Sequence, residues 1–312
     1  MFQIKRKARE AGEVIRQNTS LLDSEKELEY LTFPLLEETG IVRHLVTTRT
    51  GGVSGGEFAS MNLSFTRGDR REDVEENYRR IGAVLGCAPE NMTASQQTHT
   101  TNIRRVTTDD KGKGIVRPLD YHDVDGLITD EPDLALVTYY ADCVPLLFVD
   151  PVHKAIGLAH SGWRGTVGQM GQCMVKAMEQ NFGSDPAGLY AAIGPSICQE
   201  CYEVSEDVAE QFVDLESRSE ILRREALERG VYGPSFDGGI PKLIETGKQP
   251  GKYQLDLWLA NLLILRQAGI KWERLAVTDI CTCHNSSYLF SHRASGGRRG
   301  NLAAFLMLAP KT

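Results

Sequence analysis

Residues 134–165, LALVTYYADCVPLLFVDPVHKAIGLAHSGWRG, decide the fold of this chain. They contain three short apolar runs, Leu134–Tyr140, Val144–Val149 and Ala155–Ala159, and Asp150-Pro151 is a turn signal between the last two. The runs lack a clean alternation of apolar and polar residues, which is typical of strands that are covered on both faces. The stretch therefore predicts adjacent buried strands.

The residues around this stretch predict an alternation of strands and helices. His160–Gly165 is a glycine-containing loop, and apolar residues then recur at helical spacing from Val167 to Met178. Farther from the centre, the same reasoning predicts a strand at Ile41–Thr48, a helix at Asp69–Gly86, helices around Glu206–Arg229 and Leu255–Gly269, and a strand at Leu302–Leu308. No internal repeat or linker-like tract separates these elements, so we predict one α/β domain.

The first 26 residues differ from the rest of the chain. Lys5, Arg6, Lys7 and Arg9 precede a mixture of acidic and polar residues with few large apolar side chains. We predict a solvated helix or loose extension over residues 1–26, followed by the main domain over residues 27–312.

Composition and charge restrict the class of protein. Of the 312 residues, 41% are hydrophobic and 25% are charged, which excludes disorder as the main state. The net charge of −7 argues against nucleic acid as the main ligand. The chain shows neither the apolar stretch of a signal peptide nor a run of about 18 apolar residues, so we predict a cytoplasmic protein without a membrane partner. The seven cysteines favour free thiols or metal ligands over disulfides.

Three residues are candidate metal ligands because each lies where a predicted element ends. His99 follows a polar segment, Cys143 interrupts an apolar region, and His160 ends a predicted strand. If the two strands around Cys143 and His160 lie side by side, both side chains can emerge near the same edge. A lone histidine or cysteine at such a position is more often a satisfied polar residue or core filler, so the spacing alone leaves both interpretations open.

Nine short motifs occur in an order that resembles the bacterial laccase-domain family. The resemblance spans about residues 30 to 309. The motifs are TTRTGGVS (47–54), SMNL (60–63), QTH (97–99), DVDG (123–126), ADCVP (141–145), AHSGWRGT (159–166), IGPSI (193–197), CYEV (201–204) and FSHR (290–293). Members of this family were first labelled polyphenol oxidases and later interpreted as zinc-dependent purine nucleoside phosphorylases with adenosine deaminase side activity.

The resemblance implies a fold and a metal centre. The implied fold is a single α+β domain, with residues 27–312 as the catalytic domain, in which mixed β-sheets pack together and helices cover the outer faces. It is similar to the fold of certain cysteine-hydrolase toxins. The resemblance also implies that His99, Cys143 and His160 bind one catalytic zinc ion and leave its fourth position open. Copper is the alternative metal. Asp142 is a candidate for orienting a ligand imidazole.

Four further residues are candidates for binding a purine nucleoside and phosphate. Arg164 lies in the loop that precedes a predicted helix, where its guanidinium and the backbone N–H groups could both contact phosphate. We therefore predict a catalytic role for Arg164 as well as a role in substrate binding. Arg49 adjoins the glycine-rich loop, Asn62 is similar to a family pocket residue, and Arg293 adds a positive charge.

The expected activity is phosphorolysis of adenosine, inosine, guanosine and methylthioadenosine by a monomeric enzyme, with deamination of adenosine as a side activity. One alternative is an amide hydrolase with Cys143 as nucleophile and His160 as base, and another is a ligand-binding protein without turnover. A copper-dependent polyphenol oxidase is a third alternative. The seven histidines include no His-x-His pair, which argues against it.

A second set of cysteines forms two close groups, Cys198-x-x-Cys201 and Cys281-x-Cys283-His284. Two such groups could form a structural zinc site. Cys201 falls inside a motif that the family carries without a second metal, as far as the resemblance implies. The sequence therefore favours reduced thiols.

Overall fold

Strands and helices alternate along the chain. The computed structural model describes residues 2–7, 13–23, 26–235 and 238–309. Within these ranges the strands are β1 (Arg16–Asp23), β2 (Lys26–Thr32), β3 (Val42–Thr47), β4 (Met92–Ala94), β5 (Ile103–Arg105), β6 (Gly126–Thr129), β7 (Ala135–Tyr140), β8 (Val144–Asp150), β9 (Ala155–Ser161), β10 (Tyr190–Ile193), β11 (Glu203–Ser205), β12 (Ile244–Thr246), β13 (Lys252–Leu255), β14 (Leu275–Val277) and β15 (Leu302–Leu308). The α-helices are α1 (Pro34–Glu37), α2 (Arg71–Leu85), α3 (Trp163–Val167), α4 (Met170–Phe182), α5 (Glu206–Ala209), α6 (Val213–Arg218), α7 (Glu220–Glu228), α8 (Leu257–Gln267) and α9 (His292–Ser295).

Two six-stranded mixed sheets carry the fold. The first has the order β1-β2-β3-β15-β7-β4 and the second has the order β14-β10-β8-β9-β6-β5, while β11-β13-β12 form a small third sheet. The predicted central strands are confirmed. β8 and β9 form an antiparallel pair in the middle of the second sheet, with Val144 opposite Ser161 and Pro145 opposite His160. Every residue of both strands is buried, as their unbroken apolar pattern predicts.

Alternate side chains of β8 enter two different hydrophobic cores. Val144, Leu146 and Phe148 pack in a core that also contains side chains of α4 and α8. Leu147 and Val149 belong to the core that also contains side chains of β15 and β7, between the two sheets. On the outer face of the first sheet, other side chains of β15 and β7 pack with α2. The layers are therefore helix, sheet, sheet and helix, which confirms the expected α+β fold with packed mixed sheets and outer helices.

The predicted helices are confirmed with one exception. α2, α4 and α8 overlap the segments predicted from helical spacing, and α2 ends at Gly86, whose φ of 72° is left-handed. The predicted helix over Glu206–Arg229 is instead divided into α5, a 3-10 turn, α6 and α7. At the last break, the hydroxyl of Ser219 donates to the carbonyl of Glu216 and competes with the helical backbone pattern. No helix in the described ranges has the length and apolar character needed to cross a membrane.

The amino-terminal segment differs from the predicted helix or loose extension. β1 pairs antiparallel with β2 at the edge of the first sheet. Upstream, Phe2 stacks on Tyr288 with ring centroids 4.6 Å apart, and Arg6 donates to both carboxylate oxygens of Asp279 at 3.1 Å. Arg6, whose charge suggested a solvated segment, therefore helps to hold this segment against the rest of the protein. Residues 1, 8–12 and 24–25 lie outside the described ranges, and the domain boundary at residue 26 stays a prediction.

Candidate metal centre and active site

His99, Cys143 and His160 lie together although they are far apart in the sequence. Each offers one ligand atom, and these atoms all lie within 4.8 Å of one another. The Cys143 Sγ is 3.9 Å from the His99 Nε2, and the rings of the two histidines are 4.9 Å apart edge to face. The three residues form what we call the His99–Cys143–His160 centre.

The strand pairing explains this convergence. His160 lies on β9 opposite Pro145 of β8, so Cys143, two residues before Pro145, is carried to the same end of the hairpin. His99 comes from the loop after β4, where its φ of 67° is left-handed. Asp142, with φ of 87°, makes a second left-handed turn immediately before the cysteine. Histidine and aspartate are among the residues that adopt this conformation most readily.

Asp125 holds the two histidines in place, and the sequence analysis did not assign it this role. Its carboxylate accepts from the His160 Nδ1 at 2.8 Å and from the backbone N–H groups of Thr98, His99 and Thr100 at 2.9 to 3.1 Å. The Nδ1 contact leaves Nε2 as the His160 nitrogen that can bind a metal. The DVDG motif that contains Asp125 was the signal that could have identified it.

Asp142 does not orient a ligand imidazole, which corrects the hypothesis made from the sequence. Its two carboxylate oxygens accept from the Thr282 hydroxyl at 2.6 Å and from the Arg293 backbone N–H at 2.7 Å. Thr282 lies in the loop after β14, and Arg293 lies in α9. Asp142 therefore holds this loop and the start of α9 beside the turn that presents Cys143.

Without a metal, the electrostatics of the centre favour an ion pair between the Cys143 thiolate and the protonated His160 ring. Burial opposes ionisation of the Cys143 thiol, but His160 and His99 outweigh it and lower the pKa of Cys143 to about 6. Burial favours neutral His160, but the Cys143 thiolate and the Asp125 carboxylate raise the pKa of His160 to about 9. Asp125 itself has a lowered pKa, because its hydrogen bonds with His160 and the backbone overcome the effect of burial. The thiolate form of cysteine is the form that binds metals.

A cavity of about 410 Å³ opens beside this centre. This volume suits a small-molecule ligand. Besides the three centre residues, its wall contains Ser64, Phe65, Thr66, Arg67, Ala94, Ser95, Gln96, Gln97, Gly114, Leu119, Tyr139, Tyr140, Ala141, Arg299 and Asn301. No carboxylate is among these described residues, and two of them are arginines. The cavity therefore suits an anionic ligand.

Arg67 and Arg299 are the cationic residues that the sequence analysis missed. Burial lowers the pKa of Arg299 to about 10, and repulsion from Arg67 adds to the effect. The Nε of Arg299 is buried and has no hydrogen-bond partner in the described structure. Two arginines that repel each other beside a cavity without carboxylates are typical of an anion site. The basic GGRRG stretch, residues 296–300, was the only sequence signal for Arg299.

Arg49 and Asn62, predicted as substrate contacts, are engaged inside the protein. Arg49 donates to two backbone carbonyls at 2.8 Å. Asn62 is fully buried, and its Oδ1 accepts from the backbone N–H groups of Ser64 and Asn301, which both line the cavity. Neither Arg49 nor Asn62 is among the lining residues. Asn62 shapes the cavity wall through its neighbours, and direct contacts of either residue with substrate stay predictions.

Arg164 and Arg293 also lie outside the cavity wall. Arg164 is exposed on α3, with its guanidinium 4.3 Å from the centre of the Trp163 ring. Arg293 donates from its guanidinium to the carbonyls of Cys201 and Glu203 at 3.0 Å. The structure thus brings together the three predicted metal ligands but not the four predicted substrate residues.

The donor set of the centre fits a catalytic zinc ion. Zinc takes imidazole nitrogen and thiolate sulfur as ligands, and a set of three protein ligands leaves one position open for substrate. Two histidines and one cysteine also occur in copper electron-transfer sites, which add a weak axial ligand that is most often methionine. No methionine is among the described residues of the cavity wall.

A family model described as multi-copper polyphenol oxidoreductase laccase matches residues 43–309. The chain belongs to this laccase-domain family. The match includes the three residues of the centre, Asp125, and both arginines of the cavity wall.

Similar laccase-domain proteins have been named for a different activity. A Bacillus subtilis protein named purine nucleoside phosphorylase YlmD is 34% identical over 264 residues, which cover 83% of this chain and 86% of the relative. A purine nucleoside phosphorylase of Deinococcus radiodurans is 36% identical over 276 residues, which cover 88% and 93%. The crystal structure of YlmD from Geobacillus stearothermophilus is 33% identical, with a TM-score of 0.75 over 92% of this chain and 98% of that one.

Gly162 leaves room for the centre, which gives a first prediction. A Cβ atom at this position would lie 2.9 Å from the His99 Cδ2 and 3.0 Å from the Cys143 Sγ. The φ of −74° is accessible to alanine, so the substitution acts through this contact. We expect Gly162→Ala to lower the zinc affinity of the centre by about 10- to 100-fold, measured by competition with a chromogenic chelator.

Gly165→Ala is the matched control, because the nearest atom to its added Cβ is 3.6 Å away. This variant is expected to keep the wild-type affinity. Equal weakening in both variants would mean that α3 is disturbed as a whole, and an unchanged Gly162→Ala affinity would contradict the packing described here.

Proposed function

We propose that this laccase-domain protein is a zinc-dependent purine nucleoside phosphorylase. The observation that carries the proposal is that the His99–Cys143–His160 centre opens onto a cavity with Arg67 and Arg299 in its wall. The names of relatives that match more than four fifths of the chain support the same activity.

In this reaction a phosphate oxygen bonds to the C1′ carbon of the nucleoside while the bond from C1′ to the purine breaks. The purine leaves with a proton, and the sugar leaves as its 1-phosphate. Arg67 and Arg299 would bind and orient the phosphate oxygens through charge-assisted hydrogen bonds. Phe65 and Tyr139 offer flat apolar surface to the purine. Zinc bound by the three residues of the centre would supply Lewis acidity beside the reacting atoms.

The finer parts of the proposal concern substrates and setting. Adenosine, inosine, guanosine and methylthioadenosine are the proposed nucleosides, and deamination of adenosine is the proposed side activity of the same centre. A monomeric, cytoplasmic enzyme that binds neither nucleic acid nor membranes belongs to the same proposal.

The test is product analysis of zinc-replete protein with adenosine and inosine, with and without phosphate. We expect free purine and ribose 1-phosphate in equal amounts, formed only when phosphate is present. Inosine formed from adenosine without phosphate would measure the deaminase activity separately. The proposal is wrong if zinc-replete protein releases no purine in a phosphate-dependent manner.

A cysteine-dependent amide hydrolase is the second candidate, and one observation favours it. Without a metal, Cys143, His160 and Asp125 form a chain of thiol, imidazole and carboxylate like that of cysteine hydrolases. Alkylation with iodoacetamide separates the two candidates. Under the leading proposal, stoichiometric zinc protects Cys143 from alkylation, whereas a hydrolase would be isolated without metal, would be alkylated rapidly at Cys143, and would lose amidase activity.

The copper oxidase named in the family description has less support in this chain. In the described residues, two groups of histidine, cysteine or acidic side chains could hold a metal, and neither contains more than two histidines. Multicopper centres need many more imidazoles. Zinc is therefore the metal that we propose.

Arg299 provides a prediction for the phosphate site. We expect Arg299→Gln to raise the KM for phosphate by about 10- to 100-fold, because a hydrogen bond to a charged group contributes roughly 1.5 to 3 kcal/mol. The KM for the nucleoside should change much less. Steady-state kinetics with each substrate varied in turn measures both values.

Arg298→Gln is the control for this prediction. Arg298 is the adjacent arginine, but it is exposed and pairs with Glu57 at 3.0 Å. The Arg298→Gln substitution is expected to leave both KM values unchanged. If Arg298→Gln raised the KM for phosphate as much as Arg299→Gln, the effect would come from net charge and not from a phosphate site at Arg299.

A further inference from the structure

A second group of potential metal ligands lies outside the cavity. Cys198, Cys201, Cys281 and His284 each offer one ligand atom, and these atoms all lie within 4.8 Å of one another. We call this group the Cys3His cluster. Cys283, which the sequence placed in the same set, is not part of it.

The topology of the second sheet creates this cluster. β10 and β14 are neighbouring parallel strands, and their extensions still pair where Ser196 lies opposite Cys281. Cys198 and Cys201 follow β10, and Cys281 and His284 follow β14. Two loops that leave the same end of adjacent parallel strands therefore each contribute two residues spaced three apart. This arrangement of two paired ligands is typical of structural zinc sites.

The four ligand atoms lie within 4.8 Å of one another, a spacing only slightly wider than that around a bound zinc ion. The His284 Nε2 is 3.2 Å from the Cys201 Sγ and its Nδ1 is 3.7 Å from the Cys198 Sγ, and one of these two nitrogens would bind the ion. Zinc bonds of about 2.3 Å to sulfur and 2.0 Å to nitrogen imply separations of roughly 3.5 to 3.8 Å between ligand atoms. The Cys281 Sγ also accepts from the Cys198 backbone N–H at 3.3 Å, as sulfur ligands of zinc commonly do.

Burial and oxidation state agree with metal binding. Cys198 and Cys281 are fully buried, while Cys201 and His284 are half-buried. None of the cysteines is in a disulfide. Thiols are weak hydrogen-bonding groups, so three of them around an imidazole contribute little as polar contacts, whereas they are strong ligands once deprotonated.

We propose that Cys198, Cys201, Cys281 and His284 bind a structural zinc ion that is distinct from the ion of the His99–Cys143–His160 centre. Four protein ligands close the coordination shell, so this ion has no position for substrate and stabilises the two loops instead. The proposal is independent of the reaction assigned to the chain.

The two loops are linked to Asp142, one directly and the other through Arg293, which gives this second ion a positioning role. Thr282 lies between Cys281 and His284 in the second loop, and its hydroxyl donates to the Asp142 carboxylate at 2.6 Å. Asp142 immediately precedes Cys143, a proposed metal ligand. The carbonyl of Cys201 accepts from the Arg293 guanidinium at 3.0 Å. An ion that fixes the loops would therefore help to fix the turn that presents Cys143.

The experiment counts zinc in proteins that differ at one centre. Elemental analysis of the purified wild type is expected to give two zinc ions per chain. A His99→Ala/Cys143→Ser/His160→Ala variant is expected to keep one, and X-ray absorption of that ion should show three sulfur ligands and one nitrogen ligand. Cys201→Ser should lose one ion from the wild-type count, whereas Cys283→Ser, in the loop that carries Cys281 and His284, should lose none.

Several results would overturn the proposal. These are a triple variant that contains no zinc, a remaining ion without sulfur ligands, or a Cys198–Cys201 disulfide in protein isolated under alkylating conditions. Cys201→Ser can fail to fold for reasons unrelated to zinc, but the spectrum of the triple variant decides the question because it leaves the Cys3His cluster intact.

Discussion

Cys143→Ser is expected to lower kcat/KM for the proposed purine nucleoside phosphorolysis by about a thousandfold or more and to remove the zinc ion proposed for the His99–Cys143–His160 centre. The thiolate is one of the three proposed protein ligands of that ion, and a serine hydroxyl stays protonated at neutral pH and binds zinc poorly. A metal ion contributes several kcal/mol of transition-state stabilisation, and about 4 kcal/mol corresponds to a thousandfold change in rate. Steady-state phosphorolysis assays and elemental analysis on the same preparation measure both effects.

Cys173→Ser is the matched control for this prediction. Cys173 is a half-buried thiol on α4, and its Sγ donates only to the Gly168 carbonyl at 3.7 Å. It should keep the wild-type activity and metal content. A Cys143→Ser protein that retains more than a tenth of the activity would show that the thiolate is not required. Loss of phosphorolysis with full zinc content would mean that Cys143 acts in the reaction without being a ligand of the ion.

Asp125→Asn is expected to weaken zinc binding by about 10- to 100-fold and to lower the free energy of unfolding by about 3 kcal/mol. Asp125 is fully buried, and its carboxylate accepts from the His160 Nδ1, from three successive backbone N–H groups and from the Thr100 hydroxyl. An asparagine replaces one accepting oxygen with an NH2 group that faces donors, so at least one buried N–H loses its partner. Chelator competition measures the first effect, and denaturant unfolding of metal-free protein measures the second.

Asp123→Asn is the control, two residues earlier on the same loop. Asp123 accepts from the exposed Thr98 hydroxyl at 2.7 Å, and its left-handed φ of 54° also suits asparagine. The zinc affinity and the free energy of unfolding of the Asp123→Asn variant should stay close to the wild-type values. If Asp125→Asn binds zinc as tightly as Asp123→Asn does, Asp125 does not orient His160 toward the metal.

The two predictions separate ligand loss from ligand orientation. Cys143→Ser removes a donor atom, so added zinc should not restore activity. Asp125→Asn keeps all three donor atoms and disturbs their support, so excess zinc should restore a large part of the lost activity. This difference depends on the structure, because Asp125 and Asp142 both lie within family motifs and only the hydrogen bonds show which one supports the histidines.

Strand patterns predicted the centre of the fold well because burial on both faces leaves a direct trace in the sequence. β8 and β9 are apolar over almost their whole length, and β15 coincides with the predicted Leu302–Leu308 strand. Edge elements leave a weaker trace. β1 is exposed on one side and carries the polar sequence RQNTSLLD, so its charge suggested a solvated segment although the backbone pairs with β2.

By itself, the sequence determined the buried strands, the flanking helices, the family resemblance and the identities of His99, Cys143 and His160 as candidate ligands. Only the tertiary structure decided which polar residues surround them. Asp125, Arg67 and Arg299 join the site through loops whose contacts are spread over more than 200 residues of chain. The Cys3His cluster likewise exists because β10 and β14 are neighbours in the second sheet. The physical reason is that hydrophobic burial acts along each element and leaves a periodic pattern, whereas a polar site is made by side chains that meet only after distant loops are brought to one end of a sheet.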